Sequence, residues 1–171
     1  MPISQAILPE FDQEMANTRK ILERVPDGKA DYKPHEKSMS LARLATHVAE
    51  LPSWAKTTLE TEVLEMQPGT QPNIVTTRAE LLALFDKGVA EARERIAATS
   101  DAEWGKNWQF KFAGQTIISM SRAEVMRITV MNHLIHHRAQ LGVYLRLNEV
   151  EIPGMYGPSA DEMKFWQAKT A

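Results

Sequence analysis

Asn132-His133-Leu134-Ile135-His136-His137-Arg138-Ala139-Gln140 is the stretch whose reading decides the fold. It lies in a run from Ser121 to Leu147 whose apolar spacing predicts one long helix. His133 and His137 stand four apart, so on that helix both side chains occupy one face, a turn apart. Two neutral imidazoles so placed can share a divalent cation. The order H-x-x-x-H is that of the helical zinc motif, but Leu134 stands where H-E-x-x-H has its glutamate. The spacing supports metal geometry and gives no support to metalloprotease chemistry.

Advancing about 100° per residue puts Met126, Val130, His133, His137, Leu141 and Tyr144 in one stripe. Arg127 and Arg138 fall together to one side of it. Arg138 is expected to make a structural ion pair, and Tyr144 to lie in the core. His136 falls on the polar flank and is not expected to be a ligand. The pair thus faces inward among apolar neighbours. A buried histidine pair without a third partner is commonly a hydrogen-bonded core pair, and a third ligand elsewhere would change that reading.

Working outward, the chain has 171 residues, 43% apolar and 25% charged, which suits one soluble globular domain over residues 1–171. The net charge of −2 offers no basic surface to follow a phosphate backbone, so no nucleic-acid partner is expected. With no cysteine there are no disulfides, no thiolate ligands and no cysteine nucleophile, so any metal is held by nitrogen and oxygen. No secretory pattern opens the sequence and no apolar run is long enough to span a membrane. No membrane association and a cytoplasmic location are the expectations.

Apolar residues at three- and four-residue steps predict a first helix from Ser4 to Arg24, stopped by Pro26-Asp27-Gly28. A loop with Pro34 and an exposed His35 follows. A second helix begins near Ser40, and Leu41, Leu44, His47, Val48 and Leu51 share its inner face. Pro52 is expected to bend or interrupt it before it resumes to about Glu62. Gln67 to Thr76 reads as a loop. Thr77 to Glu80 is a capping box opening a third helix to about Thr99, with Leu81, Phe85, Gly88, Ala92 and Ile96 inward. From Trp104 to Ser119 the period changes: Trp108, Phe110 and Phe112 alternate around an Ala113-Gly114 turn, which predicts a small β-hairpin. Ser121 to Glu124 caps the histidine-bearing helix. Ser159 to Glu162 is a third box, before a short helix with Met163 and Trp166.

Four long amphipathic helices predict an all-α four-helix bundle with the hairpin inserted before the last of them. Bundle metal sites are built from facing helices. If the second and fourth helices are neighbours, His47 joins His133 and His137, and three buried imidazoles share one cation. Nitrogen ligands suit zinc, nickel, copper or iron, with manganese a further candidate. Glu50 and Gln140 lie about a turn from His47 and His137 and could orient them. Surface or interhelical hydrogen bonding is the competing role for both.

Three segments carry a resemblance to the DinB-like family: His47-Val48-Ala49-Glu50 with Trp54, then Asn132-His133-x-x-His136-His137-Arg138-x-Gln140, and the tail Ile152-Pro153-Gly154-x-Tyr156-Gly157-Pro158-Ser159-Ala160-Asp161-Glu162. The resemblance spans nearly the whole chain. It implies a bundle in an up-down-down-up arrangement, often dimeric, with His47, His133 and His137 as the metal ligands. Relatives include transferases using bacillithiol, mycothiol or glutathione and a thiol-dependent maleylpyruvate isomerase. The resemblance therefore implies a metal-dependent enzyme acting on a small molecule: an S-transferase using a low-molecular-weight thiol, or a hydrolase. The alternative is a non-catalytic metal- or ligand-binding bundle linked to stress. Beyond the metal stripe the fourth helix has a second apolar side of Ile128, Met131, Ile135 and Gly142, with Leu134 and Leu145 at its margins. An isologous homodimer is expected to cover it; cover by the chain's own hairpin or tail is the competing reading.

Overall fold

The computed structural model describes residues 1–163. Among them, helix α1 (Ile3–Leu22) is followed by a loop and α2 (Leu41–Glu60), then strand β1 (Val63–Met66), α3 (Arg78–Ala98) and a one-turn helix α4 (Asp101–Trp104). Strands β2 (Asn107–Phe112) and β3 (Gln115–Ser121) lead into the histidine-bearing helix. That helix has three parts: α5 (Arg122–Val125), a π-helical segment (Met126–Asn132) and α6 (His133–Leu147). The fold is thus mostly helical, with a small three-stranded sheet. A helical turn at 160–163 ends the described chain, so Trp166 lies outside it.

Helix starts follow local chemistry. Ser40 accepts from the Arg43 N–H at 3.2 Å and so caps α2. The Thr77 hydroxyl accepts from the Glu80 N–H at 3.3 Å, but it also donates to the Glu80 carboxylate at 2.7 Å, so this cap is not the reciprocal box predicted for it. The Ser121–Glu124 and Ser159–Glu162 boxes do form reciprocally. α1 follows Pro2, which caps nothing, and takes its cap from a distant segment: the Ile3 N–H donates to Asp101 Oδ1 at 2.8 Å.

α2 is the centre of the packing. It lies most extensively along α3 and also against α6, the π-helical segment and α1. Its inner residues Leu44, Val48 and Leu51 join Phe11, Phe85, Leu134 and Leu141 in one core. The stripe read from the sequence is inward: Met126, Val130, Leu141 and Tyr144 are all buried.

Four expectations need correction. Pro52 does not interrupt α2, which runs unbroken past it. The insertion is a sheet of order β1-β2-β3 rather than a lone hairpin. β1 pairs parallel to β2, with Val63 beside Gln109, and β2 pairs antiparallel to β3. Four residues are too few for a period to emerge, and pairing with β2 holds them extended. Trp104 belongs to α4, where it is fully buried and donates through Nε1 to Ser4 Oγ at 2.9 Å. Finally, the last long helix is not uniformly α. Its π-helical segment contains Ile128-Thr129-Val130, a β-branched run with weak α preference. The Ala113-Gly114 turn is as read: both residues have positive φ, +49° and +78°, which matches the twist of a two-residue hairpin.

Candidate metal centre

α2 and α6 are neighbours, and that adjacency builds the site. His47, on the buried face of α2, meets His133 and His137, which project one turn apart from α6. The ring centroids of His47 lie 5.0 Å from His133 and 4.7 Å from His137, and the latter two are 4.7 Å apart. One ring nitrogen from each falls within 4.8 Å of the others, a group that could hold a metal ion. His136 is outside that group: it is exposed, with its ring 4.8 Å from that of His137 at the rim. His35 sits on an exposed loop, as expected.

Each imidazole is oriented through Nδ1. His47 Nδ1 lies 2.8 Å from Glu50 Oε1, His137 Nδ1 lies 2.7 Å from Gln140 Oε1, and His133 Nδ1 lies 3.2 Å from the Thr129 carbonyl oxygen. A carboxylate and a carbonyl oxygen have no proton to give, so Nδ1 donates and the lone pair is left on Nε2. Glu50 and Gln140 thus each contact the histidine about a turn away on the same helix. Thr129 was missed, because its contribution is a backbone carbonyl and no side-chain pattern signals it. At this junction the His133 N–H donates to the Val130 carbonyl, while the Thr129 carbonyl faces the imidazole of His133.

The Nε2 atoms of His47 and His133 face one another at 3.3 Å. With both Nδ1 atoms protonated, two lone pairs point at each other and no hydrogen bond joins them. An added proton is disfavoured: burial, then the charge of nearby His47, holds the His133 imidazole below the usual histidine value. Burial first, against the favourable Gln140 contact, holds His137 down to about 4. The His47–His133 spacing matches that of two ligands on a tetrahedral ion, which stand about 3.3–3.4 Å apart for bonds of about 2.0–2.1 Å, and the whole triad lies within 4.8 Å. A hydrogen-bonded core cluster explains this geometry less well. Trp54 walls the group, with its ring 5.9 Å from His47 and 5.6 Å from His133.

Arg43 lies one turn before His47 and reaches the same carboxylate, with its Nη1 3.5 Å from Glu50 Oε1. Arg138 is turned away from the imidazoles and is 2% exposed, close to the structural role read for it. Its Nη2 pairs with Glu14 Oε2 at 2.6 Å and donates to the Tyr156 hydroxyl at 2.6 Å, while Nη1 donates to the Glu14 carbonyl and Thr18 Oγ1, each at 3.0 Å. Tyr144 is buried, and its hydroxyl donates to the Met39 carbonyl at 3.2 Å.

These features define a helical protein with three histidines converging from two adjacent helices, and they meet the family named by the histidine and tail motifs. The chain belongs to the DinB family, whose sequence model matches residues 1–170. Among solved structures, a DinB-like protein from Bacillus cereus ATCC 10987 aligns with a TM-score of 0.71 at 19% identity, covering 91% of this chain and 98% of that one. A DinB-like protein from Bacillus subtilis aligns with a TM-score of 0.65 at 18% identity, covering 88% of this chain and 97% of that one. At such identities the likeness is one of fold. No curated protein matches the chain in sequence.

Proposed function

We propose that the protein is a metal-dependent enzyme in which Nε2 of His47, His133 and His137 holds one divalent cation, zinc or nickel before iron, copper or manganese. The observation that carries this reading is the pair of facing Nε2 lone pairs at 3.3 Å, with every Nδ1 committed elsewhere. A cation bound there supplies Lewis acidity that lowers the pKa of a thiol or of water, preparing a nucleophile at neutral pH. Three protein ligands leave coordination open, as catalytic sites require and closed structural sites do not. The chain has no cysteine, so in a thiol transfer the sulfur comes from a low-molecular-weight thiol of the bacillithiol, mycothiol or glutathione kind.

The chain's residues divide the remaining work. Glu50, Thr129 and Gln140 hold the three rings in one tautomer. Trp54 covers His47 and His133 and excludes water from that side. The half-buried His137 leaves an approach from solvent. The four long helices supply the rigid frame, in the up-down-down-up order of the proposed bundle.

Elemental analysis of untagged protein tests the site. We expect about one divalent cation per chain, retained in His136→Ala and largely lost in His137→Ala. Equal loss in both variants would mean that the liganding face is wrongly assigned. Loss in neither would remove the metal and the enzyme with it.

A further inference from the structure

A cleft of about 390 Å³ opens against His137 and is lined by Lys37, Ser38, Met39, Gln140, Val143 and Tyr144. Its size is that of a small-molecule site. Its chemistry is one-sided. Lys37 is exposed and forms no ion pair among the described residues, and no carboxylate lines the cleft. Gln140 gives its oxygen to His137, which leaves its amide N–H groups to donate. The Tyr144 hydroxyl is committed to the Met39 carbonyl, so this residue offers its ring. Met39, the Tyr144 ring and Val143, which is 58% exposed, supply apolar wall. Donors, a single cation and apolar surface together select a monoanion with an apolar body. A phosphate dianion would call for more positive charge, and among the described residues no arginine lines this cleft.

We propose that this cleft binds a small organic carboxylate, with its carboxylate at Lys37 and Ser38, its apolar body along Met39 and Val143, and its far end directed at the imidazoles. The proposal deepens the metal-enzyme reading by naming a substrate class. It rests on that reading only for what happens at the far end.

Another cleft, of about 410 Å³ beside Glu62, Lys106 and Arg122, is lined by none of the three histidines. One of about 330 Å³, between α6 and the tail, also lacks this logic. Ile21, Ile135, Ile152 and Met155 make it apolar, none of the three histidines lines it, and its one cation, Arg138, is already paired with Glu14.

Hexanoate and 1-hexanol, titrated into untagged metal-free protein and followed through the Met39 and Val143 methyl resonances, test the cleft without the metal. We expect hexanoate to bind at least about threefold more tightly than hexanol, the scale of one exposed ion pair. Lys37→Met should bring hexanoate to the level of hexanol, and Lys37→Glu should weaken it further. The Lys37 side chain is exposed and its backbone N–H donates to His35 Nδ1 within the same loop, so both variants are expected to fold. Equal binding of hexanoate and hexanol, or indifference to Lys37→Glu, overturns the proposal. Zinc counted on reconstituted portions of the same samples separates the two readings. Lys37-dependent binding in a chain that takes up no zinc keeps the cleft and removes the metal. One zinc per chain with Lys37-independent binding does the reverse.

Discussion

The three orienting acceptors are not equivalent. His47 leans on a carboxylate, His133 on a backbone carbonyl and His137 on a side-chain amide. Partners of this kind are worth about 10–100-fold in metal affinity. Glu50→Ala and Gln140→Ala should each weaken zinc binding by about that factor in a chelator competition titration, while the fold stays intact. Unchanged affinity in both would reduce these contacts to surface hydrogen bonds. Acid should act through the same rings. An unfolded histidine titrates near about 6.5, whereas His137 in the folded chain titrates at about 4. Between those values the unfolded chain binds more protons, so metal-free protein loses stability as pH falls from about 6.5 toward 4. Urea midpoints across that window should fall more steeply for the native chain than for His137→Gln. Parallel curves would show that His137 is not held neutral by burial.

At the scale of elements, the tail is fastened to α1 and α6 by one buried polar cluster. Arg138 from α6, Glu14 from α1 and Tyr156 from the tail meet there, and the Tyr156 hydroxyl lies 2.9 and 2.8 Å from the two Glu14 oxygens. Asn17 adds a bond from its Nδ2 to the Met155 carbonyl at 3.1 Å. Removing one charge leaves its partner buried and unpaired. Arg138→Met should therefore cost about 3–5 kcal/mol by urea denaturation, and adding Glu14→Leu should restore most of it. If the double variant is as unstable as the single one, packing around the guanidinium matters more than the charge pair. Helix packing also explains how two helices come to share the histidine cluster. α2 lies in the middle of the packing, so the face carrying His47 has α6 against it. The π-helical segment ends at Asn132, immediately before His133, and brings the Thr129 carbonyl to that ring.

At the scale of the whole molecule, the second apolar side of the last helix is partly covered within one chain. Met131, Leu134 and Leu145 are buried, and Gly142 lies close to Ile21 of α1, where an added Cβ would stand 3.4 Å from the Ile21 Cδ1. Ile152, Pro153, Met155 and Tyr156 of the tail face Ile135 across the apolar cleft. What stays exposed on this long helix is Ile128, Val143 and Leu147, each more than half accessible. A homodimer, still a proposal, is expected to bury Ile128 and Leu147, while Val143 stays open to the cleft beside His137. Sedimentation at micromolar concentration should give twice the 19.3 kDa chain mass. A single species at the chain mass refutes the dimer, and Ile128→Ser should shift the equilibrium if that residue is in the contact.

The helices and the inward stripe were legible in the sequence because helical period, caps and breakers are local. His133 and His137 were legible as a pair because four residues make one helical turn. Glu50 and Gln140 were legible for the same reason. Several features were not. The meeting of His47 with that pair depends on which helices are neighbours, and separations of some ninety residues carry no local signal. The β1 strand exists through its parallel partner in β2, not through its own four residues. Pro52 reads as a break, yet packing on α3, α6 and α1 keeps α2 continuous across the lost hydrogen bond. The π-helical turn and the Thr129 carbonyl are backbone events that leave the side-chain pattern unchanged. The residue types thus determined which imidazoles were available. The tertiary structure decided that the three rings gather, with one ring nitrogen of each within 4.8 Å of the others, because that gathering is set by helix packing rather than by spacing along the chain.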